Sequence, residues 1–428
     1  MPASIRWMSA GFPMNESDQK KCAWNVRWYP RYAFLSDAYF WLPVFFLYFS
    51  EILTLDEVLL LEMVYYVGVY VMEVPSGWFS DRFGRRITML LAAVILAISY
   101  GMIFAGSSFL VFAIAQFLKA AGISFKSGTE TAFHFDSLKA IGLEDEFGRR
   151  EARVARNRFL GGAAAALIGG LVAIWTLQMA YLVACIFAIF MIVLVYRFFE
   201  PPVEESETHA NPIREFVRCL GYLKQPVLMC ILLFFILMTI LNHVPYEFFQ
   251  PYIGCSLESY QWGEQATPLV SGIHVTLTLL VASAFGAWSI RIRDRIGLWW
   301  TLLSAAVLQT LIITVMAWVL APIILVLLLA RSVPRALMAP VINAAVTGRV
   351  ERKHRATYLS MQSLAGRLSF AGMLLLLTSV VPADEHATWG SLSTALRLSS
   401  WIAIGGTVIV LLVALARFRK DGTGELTT

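Results

Sequence analysis

Apolar residues run along the chain in long blocks separated by short charged ones. A helix needs about 20 residues to cross the ~30 Å hydrocarbon core of a bilayer. Twelve blocks approach that length: residues 32–50, 57–79, 86–106, 109–130, 155–175, 178–199, 225–248, 267–289, 297–317, 320–344, 357–381 and 395–417. The expected fold is an all-α polytopic membrane protein with twelve transmembrane helices.

The loops between the blocks test the threading independently, because cytoplasmic loops collect Lys and Arg. One alternate set is basic: Arg82, Arg85, Arg86; Lys139, Arg149, Arg150, Arg153; Arg214, Arg218; Arg291, Arg293, Arg295; Arg349, Arg352, Lys353, Arg355; and Arg417, Arg419, Lys420. The other set carries Glu51 and Asp56, Glu258 and Glu264, and Asp384 and Glu385. Both termini are therefore expected in the cytoplasm. Five units follow: an interfacial tail 1–31 bearing Trp7, Trp24 and Trp28, a six-helix bundle 32–199, a cytoplasmic linker 200–224, a second six-helix bundle 225–418 and a tail 419–428. The linker opens on Pro201-Pro202 and holds Glu204, Glu205 and Glu207. Asp294-Arg295-Ile296-Gly297 after the eighth block echoes Asp81-Arg82-Phe83-Gly84 after the second, the mark of an internal repeat.

Composition agrees: 58% hydrophobic and 15% charged residues with mean hydropathy +0.67 exclude an ordinary soluble protein. The net charge of +5 sits in short loops between apolar runs, so it reports topology and excludes nucleic acid as a partner. No cleavable leader precedes the first block, and the N-terminus is expected to be retained. The five cysteines fall on different sides of the membrane or inside it and form no framework of pairs. His134, His243, His274 and His354 lie on separate spans or loops, without metal-ligand spacing. No phosphate-binding Walker loop, dinucleotide turn or nucleophile set is present. Neither a cofactor, a metal nor an enzymatic activity is expected.

The turn from Gly77 through Asp81, Arg82, Gly84, Arg85 and Arg86 resembles, position for position, the signature between the second and third helices of the major facilitator superfamily. The six-plus-six layout and the weaker second copy at Asp294 and Arg295 resemble it too. The resemblance implies a secondary transporter in which two bundles rock about a central cavity. Elsewhere the chain departs from the family pattern. Lys119 and Gly122 stand where the fourth helix often has an arginine followed by glycine, and Ala165-Ala166-Leu167-Ile168-Gly169-Gly170 keeps only the last pair of the antiporter-associated Gly-Pro-x-x-Gly-Gly. Direction of transport is left open.

An ionised side chain at the centre of a membrane helix costs at least ~2.5 to 3.5 kcal/mol on insertion scales, so each needs a partner or a cavity. On the fourth span Lys119, Lys126, Glu130 and His134 recur at intervals of seven, four and four, one stripe of a continuous helix. Lys119 is central, a candidate solute-anion contact or proton partner, with a buried structural ion pair as the competing reading. Lys126, Glu130, His134 and Asp136 sit at the cytoplasmic end, as a gating or structural cluster. In the first span Asp37 shares a face with Trp41 and Tyr48, and is the candidate protonatable carboxylate. On the second span Glu62 lies close enough to the outer surface to be solvated, whereas Glu73 is placed to pair with the motif's arginines or with Lys126. Arg331 and Arg335, one turn apart around Pro334, can clamp a carboxylate or phosphate, and Arg367 is a third cation. Asn242, Tyr246, His274 and Thr278 read first as interhelical hydrogen bonds, and Gly161-Gly162, Gly169-Gly170 and Gly405-Gly406 as close helix packing.

These features predict a monomeric, proton-coupled carrier of a small anionic or zwitterionic solute in the plasma (inner) membrane, embedded in the lipid bilayer. Two alternatives stand: a multidrug–proton efflux transporter, and a transporter-like sensor or scaffold that moves nothing. The motif from Gly77 to Arg86, with Glu73, Lys126, Glu130, His134 and Asp136, is expected to form an inner charge lock.

Overall fold

A computed structural model describes residues 16–202, 212–259, 266–351, 354–382 and 388–421. Trp7, Glu204, Glu205, Glu207, Glu264, Arg352, Lys353, Asp384 and Glu385 lie outside them. Among the described residues the regular structure is helical throughout. In chain order the helices are α1 (Glu16–Ser36), α2 (Phe45–Ser50), α3 (Leu55–Phe83), α4 (Arg85–Ala105), α5 (Phe109–Lys126), α6 (Thr129–Lys139), α7 (Phe147–Val172), α8 (Met179–Tyr196), α9 (Pro212–Gly221), α10 (Pro226–Ser259), α11 (Thr267–Ile296), α12 (Leu298–Trp318), α13 (Ile324–Leu328), α14 (Val333–Thr347), α15 (Arg355–Thr378) and α16 (Trp389–Asp421).

Among the described residues ten helical segments are long and apolar enough to cross a membrane. The first and fifth predicted blocks are absent from that set for identifiable reasons. The first is split between α1 and α2 by the non-helical stretch 37–44, and α7 carries Arg149, Arg150, Arg153, Arg156 and Arg158 in its first half. Two more blocks are interrupted: the fourth at Ser127-Gly128, where Gly128 has φ +77°, and the tenth between α13 and α14. Helix breaks at membrane depth persist only where protein or a cavity satisfies the freed backbone groups. Boundaries also move: the 1–31 tail is continuous with the first span from Glu16 onward, and the linker contains α9, which buries Cys219.

The internal repeat is deeper than the four-residue echo. Gly84 and Gly297 both adopt positive φ, +96° and +83°, and end α3 and α11. Four residues on, the hydroxyls of Thr88 and Thr301 each donate to the carbonyl of that glycine, at 2.7 and 2.8 Å. The helix pairs joining the two halves of the chain obey the same repeat. α3 packs on α15 and α7 on α11, which exchange under a shift of six spans, while α2 meets α10.

At the end opposite the Gly77–Arg86 turn the halves are closed. Gln250 of α10 accepts from the Phe46 and Leu47 amides (2.9 and 3.4 Å) and donates to the Leu42 carbonyl (3.0 Å), so it caps α2 from across the interface. Nearby, Gly170 and Gly272 bring α7 and α11 into backbone contact. Large apolar side chains, Leu110, Trp175 and Ile323 among them, are left exposed.

Candidate functional site

The break in the first span is held by a charge cluster. The Lys126 ammonium, at the last residue of α5, donates to the Ser36 carbonyl (2.8 Å), Asp37 Oδ1 (2.6 Å) and Tyr39 Oη (2.8 Å). Arg158 of α7 reaches Glu130 Oε1 (2.7 Å) and Asp37 Oδ2 (3.3 Å). Both oxygens of Asp37 thus have cationic partners. Lys126 also satisfies a carbonyl freed where α1 ends, which accounts for a lysine at that depth. His134 stacks on Tyr29 (4.1 Å between centroids) and bonds Glu151 at 2.6 Å. The predicted single stripe on the fourth span is interrupted by the Ser127-Gly128 break: Lys126 pairs with Asp37 in the first-span break, whereas Glu130 and His134 both pair with α7, through Arg158 and Glu151. Arg158 was missed although it falls inside the predicted 155–175 block, because it continues the basic run Arg149–Arg156 at the cytoplasmic start of that block.

The Gly77–Arg86 turn forms a second cluster. Arg85 bonds Asp81 (2.7 Å) and the Ser80 hydroxyl (2.9 Å) and lies 3.5 Å from Asp136 of α6. Arg86 donates to the Tyr196 carbonyl at 2.7 Å, and Arg82 lies over the Trp78 ring. Gly77 is open on its side-chain face. Glu200 supplies what the sequence did not announce: its carboxylate accepts from the Arg85 and Arg86 amides (2.6 and 2.9 Å) and so caps α4. Burial pushes this carboxyl above its ordinary range, against the opposing pull of those amides and arginines. Glu200→Ala is expected to cost about 0.5–2 kcal/mol, read as a lowered unfolding temperature of the purified protein. Glu73, in contrast to expectation, pairs with Arg367 of α15 across the halves at 3.1 Å, and with neither the motif's arginines nor Lys126. In the second copy of the motif Arg293 bonds Asp294 (2.6 Å), and Arg295 is exposed.

Midway between these clusters and the closed end lies a buried group of three charges. Lys119 of α5 is 1% exposed, and its ammonium sits over the rings of Trp41 (4.3 Å) and Tyr65 (4.8 Å). It is within electrostatic reach of Glu62 and Glu247 but makes no direct ion pair among the described residues. Glu62 of α3, 4% exposed, accepts from Gln116 at 2.8 Å; it is buried, and the expectation that solvent covers it is corrected. Glu247 of α10, 1% exposed, accepts from Tyr66 at 2.9 Å, and its other oxygen has no hydrogen-bond partner. Sequence reasoning passed over Glu247 because its block was taken to end at 248, which put the residue at a helix terminus.

Tyr246, the neighbour of Glu247, lies within electrostatic reach of both Arg331 and Arg335. Arg331 is buried against α11, whereas Arg335 is exposed and makes no hydrogen bond or ion pair among the described residues. His243 donates from Nδ1 to the Thr239 carbonyl if it is to satisfy that acceptor (2.6 Å), which leaves Nε2 an acceptor beside Phe370 and Tyr66. Aromatic rings thus surround this group: Trp41 and Tyr65 at Lys119, Tyr66 at Glu247, and Phe370 with Tyr66 at His243. Asp37, Lys126, Glu130 and the motif residues lie in separate clusters nearer the basic end.

The family model of the Major Facilitator Superfamily matches residues 32–374. The chain belongs to that superfamily. Solved structures agree on the fold. A crystal structure of the nucleoside transporter NupG aligns with TM-score 0.78 at 12% identity, covering 90% of this chain and 99% of that one. A bacterial homologue of the human lysosomal transporter Spinster, inward-facing, gives 0.66 at 13%, covering 95% and 99%. A D-xylose–proton symporter gives 0.63 at 16%, covering 94% and 97%. A search of curated protein sequences finds no significant match. The chain is therefore an integral multi-pass membrane protein of a transporter family.

Proposed function

We propose that this superfamily member is a proton-coupled secondary transporter that carries a small anionic or zwitterionic solute by alternating access. The observation that carries this reading is the group Glu62, Lys119 and Glu247, buried between the two halves. Two carboxylates and one ammonium sum to one negative charge, and a single proton removes it. A buried net charge is costly in hydrocarbon surroundings, so proton uptake and release at this group is linked to whichever conformation encloses it. Asp37, the carboxylate expected from sequence to carry the proton, is held by Lys126 and Arg158; in this reading it fixes the break in the first span.

The adjacent positions 246 and 247 on α10 bring the two ligands together. Glu247 faces the proton group, while Tyr246 is bracketed by Arg331 and Arg335, cations suited to a carboxylate. In this reading two six-helix bundles, 32–199 and 225–418, are joined by the 200–224 linker, with both termini cytoplasmic, and the chain works as a monomer in the plasma membrane. Closure at Gln250 and at Gly170–Gly272, with Arg335 exposed, fits a cavity open toward the Gly77–Arg86 end. Asp81, Arg85 and Asp136 pair within the first half while that end is open, so in this reading they brace the turn and are not a lock made between the halves on closure.

The aromatic lining of Trp41, Tyr65, Tyr66 and Phe370 favours a second reading, export of cationic drugs. Thermal stabilisation of the purified protein by a panel of anionic metabolites, zwitterions and cationic drugs separates the two. Stabilisation by carboxylate-bearing solutes, weakened at least about tenfold in apparent affinity by Arg335→Gln, is expected, a loss of ~1.4 kcal/mol. Stabilisation by cationic drugs alone contradicts the anion preference.

A further inference from the structure

Arg331 differs from the other intramembrane cations described above that are withdrawn from solvent, the exposed Arg335 being set aside. Lys126 and Arg158 have carboxylates, Arg367 has Glu73, and Lys119 has Glu62 and Glu247 within reach. Arg331, only 5% exposed, has no acidic partner among the described residues. Its Nη1 donates to His274 Nδ1 (2.7 Å) and to the Thr278 hydroxyl (2.8 Å), and its Cζ lies 4.0 Å from the Phe249 ring centroid. Its Nε–H is buried without an acceptor.

The tautomer of His274 follows from these bonds. Nδ1 accepts from the guanidinium, so the ring proton is on Nε2, which donates to the Leu325 carbonyl at 3.0 Å. The imidazole is neutral and contributes no counter-charge. The Thr278 hydroxyl accepts from Arg331 and keeps a proton of its own to donate. Arg331 also lies in the turn between α13 and α14, two residues before α14 begins, where the helix dipole adds further positive potential. A permanently charged guanidinium, a helix start and a hydroxyl donor thus converge on one buried locus that lacks a negative charge.

We propose that Arg331, with Thr278 and the start of α14, binds a small monovalent anion, either a halide or the carboxylate end of a solute. His274 is a positioning residue that fixes the guanidinium through Nη1 and leaves Nε–H for the anion. Binding at Arg331 rests in part on the transport reading only if the anion is the solute's carboxylate; a halide held there stands independently of what is transported.

The test uses the full-length protein in lipid nanodiscs, with unfolding temperature followed against sodium chloride, sodium bromide or sodium formate. Ionic strength is held constant with sodium 4-toluenesulfonate, a bulky anion that carries no carboxylate. A saturable rise of at least about 2 °C is expected. It should vanish in Arg331→Gln, persist in Arg331→Lys with a weakened half-saturation, and persist unchanged in Arg397→Gln, an exposed arginine whose guanidinium lies over the Trp318 ring. Halides and formate acting alike identify a general anion site, and formate acting alone identifies a carboxylate subsite. No saturable rise, or the same rise in Arg331→Gln, overturns the proposal. If Arg331→Gln does not fold, Thr278→Val decides: a severalfold weaker half-saturation supports the site and an unchanged one overturns it. Solute counterflow by wild-type protein in halide-free buffer tests transport separately, so exchange without any anion shift removes this site alone.

Discussion

Glu247→Gln reconstituted in liposomes is expected to equilibrate solute across the membrane while losing the ability to concentrate it against a pH gradient. One pH unit supplies ~1.4 kcal/mol per proton, so one-to-one coupling gives about tenfold accumulation per unit. The variant should fall to no accumulation, because the amide keeps the Tyr66 hydrogen bond but cannot exchange a proton. Glu62→Gln should act in the same direction, since both carboxylates share Lys119. Asp37→Asn should keep gradient-driven accumulation, though at a lower rate, because Lys126 and Arg158 lose a charge partner that fixes the first-span break. Accumulation abolished by Asp37→Asn and untouched by Glu247→Gln would return the proton to the first span.

Gly170→Leu should produce the other large effect, by preventing closure of the end opposite the Gly77–Arg86 turn. A Cβ at Gly170 would lie 2.6 Å from the Pro268 carbonyl oxygen and 2.9 Å from Gly272 Cα. Both obstacles are backbone on the other half, so neither can rotate away. Overpacking of this kind costs about 1–3 kcal/mol, enough to move a two-state equilibrium by about 5- to 150-fold. Spin labels on α7 and α11 should show the longer distance at that end becoming dominant, together with reduced exchange. Gly372→Leu, where the side-chain face is open, is the control expected to leave both unchanged.

The membrane class, most of the spans and the family were legible in the sequence because they rest on composition, block length and one dense motif. The interruptions were not. An apolar run such as 32–50 has the same hydropathy whether continuous or broken, and Lys126 and Arg158, from other helices of the same half and invisible in one-dimensional spacing, make the break tenable. For the same reason the residues meeting Lys119 were hidden. Glu62 and Glu247 each sat near a block boundary, and membrane depth cannot be read to within a turn from hydropathy. Gln250 and Glu200 cap helices of distant sequence, and no local pattern points to a cap 115 residues away from Arg85 or 204 from Phe46. The close-packing glycines were readable in part: Gly161, Gly169, Gly170 and Gly406 leave no room for a Cβ, whereas Gly405, read the same way, is open on its side-chain face. Gly161 and Gly169 lie against the Phe34 and Phe40 carbonyls while Gly170 meets α11, so each Gly-Gly pair opens α7 toward different neighbours.

The most direct test of transport itself is counterflow with wild-type protein: liposomes loaded with an unlabelled solute from the stabilisation panel, diluted into a trace of the labelled one. Alternating access predicts a transient overshoot of labelled solute inside, abolished by Gly170→Leu and retained by Glu247→Gln. Folded, correctly inserted protein that binds the solute and yields no exchange would contradict the account and leave a sensor or scaffold in its place.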